Sequence, residues 1–255
     1  MYDYHVHSSY SDGEFLPWMV RAAADAGLDG VGFTDHCNVS DRGHLRRYRN
    51  RFGFNLDVTY ERRREAIEGL REEADVEVFD AVEMDYHEAD EANIRAFLDE
   101  AHFDYAVGSV HEVQEANVHW DYFADLSADE QRAAVDEYFE RLVALVESDL
   151  FDIVAHADIV ERNPALRGYA TADHYREVAA ALADSETVPE VNAGRIDHDY
   201  GEFHPSPEFL SVLAEYDVAV TVGSDSHSPD AIRSRIPQLE ARLDDAPVET
   251  VERPV

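Results

Sequence analysis

The chain has 255 residues, 45% of them hydrophobic, which suits one large α/β domain, spanning 1–255, with a core large enough to argue against disorder. Its 56 acidic residues outnumber 21 basic ones, all of them Arg, for a net charge of −35. That balance denies the chain the basic surface nucleic-acid partners require, and the lack of Lys excludes a Walker phosphate loop, a Schiff-base aldolase and a pyridoxal enzyme.

The acids are spread along the whole sequence. A surface of this kind suits a solution of molar salt, where the Debye length is ~3 Å and self-repulsion is screened, so an extreme halophile is the expected source. No apolar run approaches a membrane span, no signal-peptide pattern opens the chain, and the single cysteine, Cys37, excludes an internal disulfide. A cytoplasmic protein is expected.

Periodicity predicts seven strand-then-helix units. The first strand covers Tyr2–His7, and a helix follows over Pro17–Ala26, with Pro in its first turn and Gly27 at its end. The second strand is Gly30–Asp35, and the polar, Arg-rich stretch Cys37–Asn55 reads as a long loop. A helix over Val58–Ala74 precedes the third strand, Val76–Glu83, and a helix over Glu91–Glu100 with Asp90 as N-cap. The fourth strand is Tyr105–His111. A long loop, Glu112–Leu126, leads to a helix over Ala128–Val146, where Ser127 and Glu130 have capping-box spacing. The fifth strand, Asp152–His156, is followed by a loop to Ala170 and a helix over Ala172–Asp184. The sixth strand is Val188–Asn192, followed by a helix over Pro207–Tyr216. The seventh is Ala219–Ser224, with a last helical pattern over Pro237–Leu243 and a frayed Pro254-Val255 end. Repeated β–α units favour a parallel sheet, and closing seven of them gives a barrel related to the eight-fold one.

Strand ends carry the chemistry. His5 and His7 project from one face of the first strand, because residues two apart on a strand point the same way. Asp35-His36 end the second strand, Glu83 the third, His111 the fourth, His156 the fifth and Asn192 the sixth. Ser224-Asp225-Ser226-His227 end the seventh, with Asp225 and His227 repeating the two-apart spacing. Singly, each has a plain structural explanation: a polar strand end, a cap, a core histidine bonded to backbone, or, for Asp12 before Gly13, a turn residue. As a set, metal-competent positions fall at the same end of every predicted strand, where barrel chemistry sits. Imidazole and carboxylate together suit Zn²⁺, Mn²⁺ or Fe²⁺, and this many donors exceeds the needs of one tetrahedral ion, so two or three divalent ions are expected. Such ions neutralise a phosphate ester and lower the pKa of a bound water to ~7.

The segments HVHSSYSDG, FTDH, VEMDY, SVH, AHAD and GSDSH, in this order, resemble the PHP (polymerase and histidinol phosphatase) superfamily over nearly the whole chain. YFERLVALVESDLFDIVAHADIV, VPEVNAGR, HPSPEFLSVL and VTVGSDSHSPDAI resemble its histidinol-phosphatase branch in particular. The resemblance implies a distorted (β/α)7 TIM-like barrel with a trinuclear metal centre. It implies one metal on His5, His7, Glu83 and Asp225, a second on Glu83 as a bridge with His111 and His156, and a third on His36, His227 and Asp12. Where many members of the family carry His, this chain has Asp12. The implied reaction is hydrolysis of L-histidinol phosphate to L-histidinol and phosphate, with a hydroxide bridging two metals as nucleophile and Glu83 and Asp225 at the reacting centre. His204 is a candidate general acid, and Arg195, then Arg162, are candidates to grip the phosphate. Glu112, Glu115 and Asp121 are candidates for the substrate's ammonium and imidazole. Alternatives are a PHP phosphoesterase for another small phosphomonoester, a non-catalytic metal-binding PHP module, and an amidohydrolase-like enzyme, whose common carboxylated-Lys bridge this chain cannot form.

Overall fold

The first strand, β1 (Tyr2–Val6), pairs in parallel with β2 (Gly30–Phe33), and β2 with β4 (Glu77–Asp80), to make a three-stranded sheet. A computed structural model describes residues 1–252; the Pro254-Val255 end expected to fray lies outside the described residues. The second sheet has six parallel strands in the order β11 (Thr221–Gly223), β10 (Val188–Asn192), β9 (Ile153–Val154), β6 (Ala106–Ser109), β5 (Val82–Asp85) and β3 (His36–Cys37). A hairpin of β7 (Glu112–Val113) and β8 (Ala116–Asn117) stands apart.

The expected third strand is therefore two strands. β4 and β5 are separated only by Ala81 yet pair in different sheets, and β2 and β3 divide in the same way around Thr34-Asp35. Between the outer strands β1 and β11 there is one parallel bridge, Val6 to Ser226, supported by His7 N–H donating to Ser226 O at 3.0 Å and Asp225 N–H to His5 O at 2.7 Å. Ladder pairing among the described residues gives an α/β fold with parallel sheets and no single closed sheet.

The helices are α1 (Leu16–Asp25), α2 (Gly43–Phe52), α3 (Leu56–Glu73), α4 (Glu91–Ala101), α5 (Ala128–Glu147), α6 (Ala172–Ala183), α7 (Pro207–Glu215) and α8 (Pro229–Asp244). The expected α5 capping box forms: Ser127 N–H donates to Glu130 Oε2 at 2.8 Å and Glu130 N–H to Ser127 Oγ at 3.4 Å. Three expectations fail. The loop expected at Cys37–Asn55 contains α2, whose apolar positions Leu45, Tyr48 and Phe52 are too sparse among arginines to signal a helix and bury no side chain fully. Asp90 does not cap α4, because its carboxylate reaches across to accept from Ser40 Oγ and Arg42 Nε. The last helix starts well before Pro237, at the Ser228 cap with Pro229 in its first turn, and Pro237 sits in its interior.

Most of the core packs helices against strands, but a smaller cluster lies beneath the strand ends: Tyr4, Ala81, Tyr105, Val107, Ile153 and Ala155, edged by Tyr2 and Phe79. Tyr105 Oη donates to Tyr4 O at 2.7 Å, so the one polar atom of that ring is satisfied. A second support is ionic. Arg63 of α3, with no exposed surface, donates through Nη1 to Asp35 Oδ2 at 2.8 Å, through Nη2 to Asp80 Oδ1 at 2.7 Å, and to Ala81 O. Asp35 also accepts from Ser8 N, Ser8 Oγ and Ser11 Oγ, each at 2.7 Å. The acid expected at the end of the second strand thus holds the Ser8–Gly13 turn in place. Burial opposes its charge, and Arg63 holds its carboxyl below the usual range.

Candidate metal centre

Parallel pairing sets the strand ends side by side. His36 is in register with Glu83 and Glu83 with Val107, so one carboxylate stands between the imidazoles of neighbouring strands. Glu83 Oε2 lies 2.6 Å from His36 Nδ1, 3.5 Å from His5 Nε2 and 3.6 Å from His7 Nε2. Its Oε1 lies 3.2 Å from His156 Nε2 and 3.5 Å from His111 Nε2. Asp225 Oδ1 is 3.4 Å from His7 Nε2. Asp12 Oδ1 is 3.3 Å from His227 Nε2, 3.8 Å from His7 Nδ1 and 3.9 Å from His36 Nε2.

The hydrogen-bond partners fix which imidazole nitrogens are bare. His5 Nδ1 faces both oxygens of Glu190 at 3.0 Å, so it carries the proton and donates, leaving Nε2 without one. Ser11 Oγ spends its hydrogen on Asp35 and so accepts, at 3.4 Å, from His7 Nδ1–H. The Nε2 atoms of His5 and His7, both lone pairs, stand 3.1 Å apart. His111 Nδ1–H donates to Asp85 Oδ1 at 2.7 Å and His227 Nδ1–H to Asp225 O at 3.0 Å, which turns their bare Nε2 atoms toward Glu83 and Asp12. Glu83 Oε2 accepts no hydrogen bond although it is buried among three imidazoles. Lone pairs facing lone pairs and carboxylates repel unless cations lie between them, so this donor set fits divalent metal ions.

Among the described residues, three groups of donors each converge within 4.8 Å: His7, Asp12, His36 and His227; His5, His7 and Asp225; and His36, Glu83 and His111. The electrostatics divide the imidazoles: burial disfavours charge on all four of His5, His7, His36 and His156, yet Glu190 and then Glu83 push His5 well above the usual imidazole range and Glu83 pushes His36 up to about 10. Burial, then the neighbours His227 and His36, bring His7 down to about 4, and burial brings His156 down to about 4. Burial disfavours charge on Glu83, yet His36, His5 and His111 hold it well below the usual carboxylate range. Two of the candidate ligands have backbones in the left-handed region, His156 at φ 26° and Asp225 at φ 51°, a strain that the surrounding packing must hold.

The centre opens into a cleft of 440 Å³ whose lining includes His36, His111, Asp225, Arg162 and Arg195. Arg162 is anchored: its Nε donates to His204 Nε2 at 2.9 Å and its Nη2 to Asn192 Oδ1 at 3.0 Å, with Asp225 Oδ2 at 3.4 Å. Arg195 is exposed at the cleft. Gly194 lets them meet, since a Cβ there would lie 2.1 Å from Asp225 Oδ2 and 2.9 Å from Arg162 Nη2.

His204 does not fit the role of general acid. It is fully buried, its Nδ1–H is given to Asp158 Oδ1 at 2.5 Å, and its Nε2 accepts from Arg162, so it has no proton to offer the cleft. Glu112 is likewise occupied, by Arg42 and by His44 at 2.6 Å each. Glu115 borders a 130 Å³ side pocket with Tyr48 and Trp120, whereas Asp121 is exposed and borders neither space. Sequence reasoning missed Glu190 and Asp85, the carboxylates behind His5 and His111. Both lie two residues from a singled-out position on the same strand face, Asn192 and Glu83, and that spacing was the available signal.

A family model described as PHP domain matches residues 3–193. A histidinol-phosphatase of Lactococcus lactis subsp. lactis is 25% identical over 236 residues, covering 88% of this chain and 83% of its own length. A Deinococcus radiodurans protein named "Probable histidinol-phosphatase" is 25% identical over 240 residues, covering 91% of this chain and 87% of its own. Among solved structures, the histidinol phosphate phosphatase of Lactococcus lactis, complexed with zinc, L-histidinol and phosphate, matches with a TM-score of 0.73 at 22% identity, over 94% of this chain and 92% of that one. That likeness is one of fold.

Proposed function

Since the chain belongs to the PHP domain family, we propose that it is a metal-dependent phosphomonoesterase that hydrolyses L-histidinol phosphate to L-histidinol and phosphate. The observation that carries the reading is Glu83, a buried carboxylate ringed by imidazoles, beside a cleft lined by His36, His111, His156 and three arginines, Arg162, Arg195 and Arg235. The relatives named histidinol-phosphatase, and the zinc, histidinol and phosphate of the matching structure, support the substrate and the metal.

In this reading one domain spans 1–255, and its seven strand positions form a distorted barrel; the Val6–Ser226 bridge between first and last strands supports it. Three ions would be held, one by His5, His7, Glu83 and Asp225, one by Glu83, His111 and His156, and one by Asp12, His36 and His227. Bound there, divalent ions neutralise the phosphate ester and acidify water. The chain's own residues do the rest. Glu190 and Asp85 keep the protons of His5 and His111 on Nδ1, turning Nε2 inward. Arg162 and Arg195 supply planar guanidinium donors matched to phosphate oxygens. Glu115 and the rings of Tyr48 and Trp120 border the space left for the amine and imidazole of the substrate.

The test is metal analysis of purified protein with kinetics on a substrate panel. About three ions per chain and a kcat/KM for histidinol phosphate ~10²-fold above that for p-nitrophenyl phosphate are expected. Equal values for the two esters would remove the histidinol reading and leave a general phosphomonoesterase.

A further inference from the structure

The Arg162 side chain borders the cleft with only 7% of its surface exposed, and its hydrogen bonds use Nε and Nη2. An arginine has donors only, so the imidazole nitrogen it meets must be bare. His204 Nε2 is therefore unprotonated, and His204 carries its single proton on Nδ1, which points at Asp158. Asp158 has both oxygens committed, Oδ1 to His204 and Oδ2 to Ser206 N–H at 2.8 Å. The backbones of His204 and Asn192 exchange two hydrogen bonds, at 2.6 and 3.0 Å, so two of the three acceptors of Arg162 are tied to one frame, the third being Asp225 Oδ2. Tyr200 stacks on the His204 ring at 4.9 Å and 6°.

We propose that Asp158 and His204 are positioning residues that aim the Arg162 guanidinium at the phosphate group of the substrate, by fixing the one histidine tautomer that can accept from it. The inference rests on the phosphomonoesterase reading above. It replaces the general-acid role expected for His204 with one that acts through Arg162. The polarity of the chain is what matters: carboxylate accepts from Nδ1–H, bare Nε2 accepts from Arg162 Nε, and with Nη2 given to Asn192 and Asp225 it is Nη1 that is left for the cleft.

Asp158→Asn tests the polarity with almost no change of shape. Ser206 N–H needs an oxygen, so the new amide nitrogen falls opposite His204 Nδ1 and donates to it. The proton then moves to Nε2 and faces the Arg162 N–H, donor against donor. His204→Leu removes the acceptor, and His204→Gln returns an oxygen acceptor to that side. Inorganic phosphate serves as the probe, through its inhibition constant against histidinol phosphate turnover, with metal content measured alongside. Asp158→Asn and His204→Leu are expected to raise both the phosphate inhibition constant and KM by about tenfold, with a smaller fall in kcat and unchanged metal content. His204→Gln is expected to recover affinity relative to His204→Leu. Arg162→Gln sets the full loss. If His204→Leu does not fold, Asp158→Asn against His204→Gln decides. Should Arg162→Gln lose phosphate affinity while Asp158→Asn keeps it, the positioning role is overturned and the phosphatase reading stands. Should the wild-type protein neither bind phosphate nor turn over the ester, the reading fails and this inference fails with it.

Discussion

Each imidazole of the centre is useful only in one tautomer, and the group behind it decides which. His5 shows this most directly. Glu190 takes its Nδ1–H, and Glu190 is itself fixed by His156 N–H at 3.1 Å and Asn192 Nδ2 at 2.7 Å. Replacing Glu190 by Gln keeps the shape but offers an amide where a carboxylate is needed, so metal affinity is expected to fall by about 10–100-fold. Titration with a competing chelator, with circular dichroism as the control on folding, checks it; unaltered affinity would show that His5 needs no such partner. Gly194 tests the approach of Asp225 and Arg162. A methyl group there meets Asp225 Oδ2 at 2.1 Å, and a displacement of that order is expected to lower kcat/KM by ~10²-fold, measured in steady state.

The elements meet the centre through Arg63. α3 lies outside the sheets, yet this buried side chain reaches Asp35 at the end of β2 and Asp80 at the end of β4, and Asp35 in turn holds the turn after β1. Two strand ends and the turn after β1 are thus keyed to one helix. Arg63→Met would leave the buried Asp35 without its cation and Asp80 with Arg64 alone, so the chain is expected to lose about 3–5 kcal/mol of stability, measured by denaturant unfolding. A loss below about 1 kcal/mol, the worth of an exposed pair, would show that water reaches the site.

Over the whole molecule the dominant fact is a net charge of −35 on 255 residues. Exposed acids repel one another across the surface, and only those within reach of an arginine are relieved. The midpoint of thermal unfolding is expected to rise from dilute buffer to molar KCl, as screening shortens the Debye length to ~3 Å. Equal stability in the two solutions would remove the link between composition and salt. None of the described helices is long and apolar enough to cross a membrane.

The order of strands and helices, the capping box at Ser127, and the set His5, His7, His36, Glu83, His111, His156, Asp225 and His227 were all readable along the chain. Strand periodicity is local, and a parallel sheet places every strand end on one side, so local reading was enough to bring these candidate ligands together. Asp12 read on its own as a turn residue, and only the family resemblance placed it beside His36 and His227. Helix α2 was not readable, because its few apolar positions carry little amphipathic signal. Only the tertiary structure decided the rest: that Glu190 and Asp85 fix tautomers, that Glu112 is spent on Arg42 and His44, that Arg162 is anchored while Arg195 is exposed, and that His204 is buried behind an arginine rather than facing the cleft. Those are properties of partners up to 185 residues apart in sequence. A side chain's proton, charge and aim are set by what it touches, and contacts of that range exist only once the chain has folded.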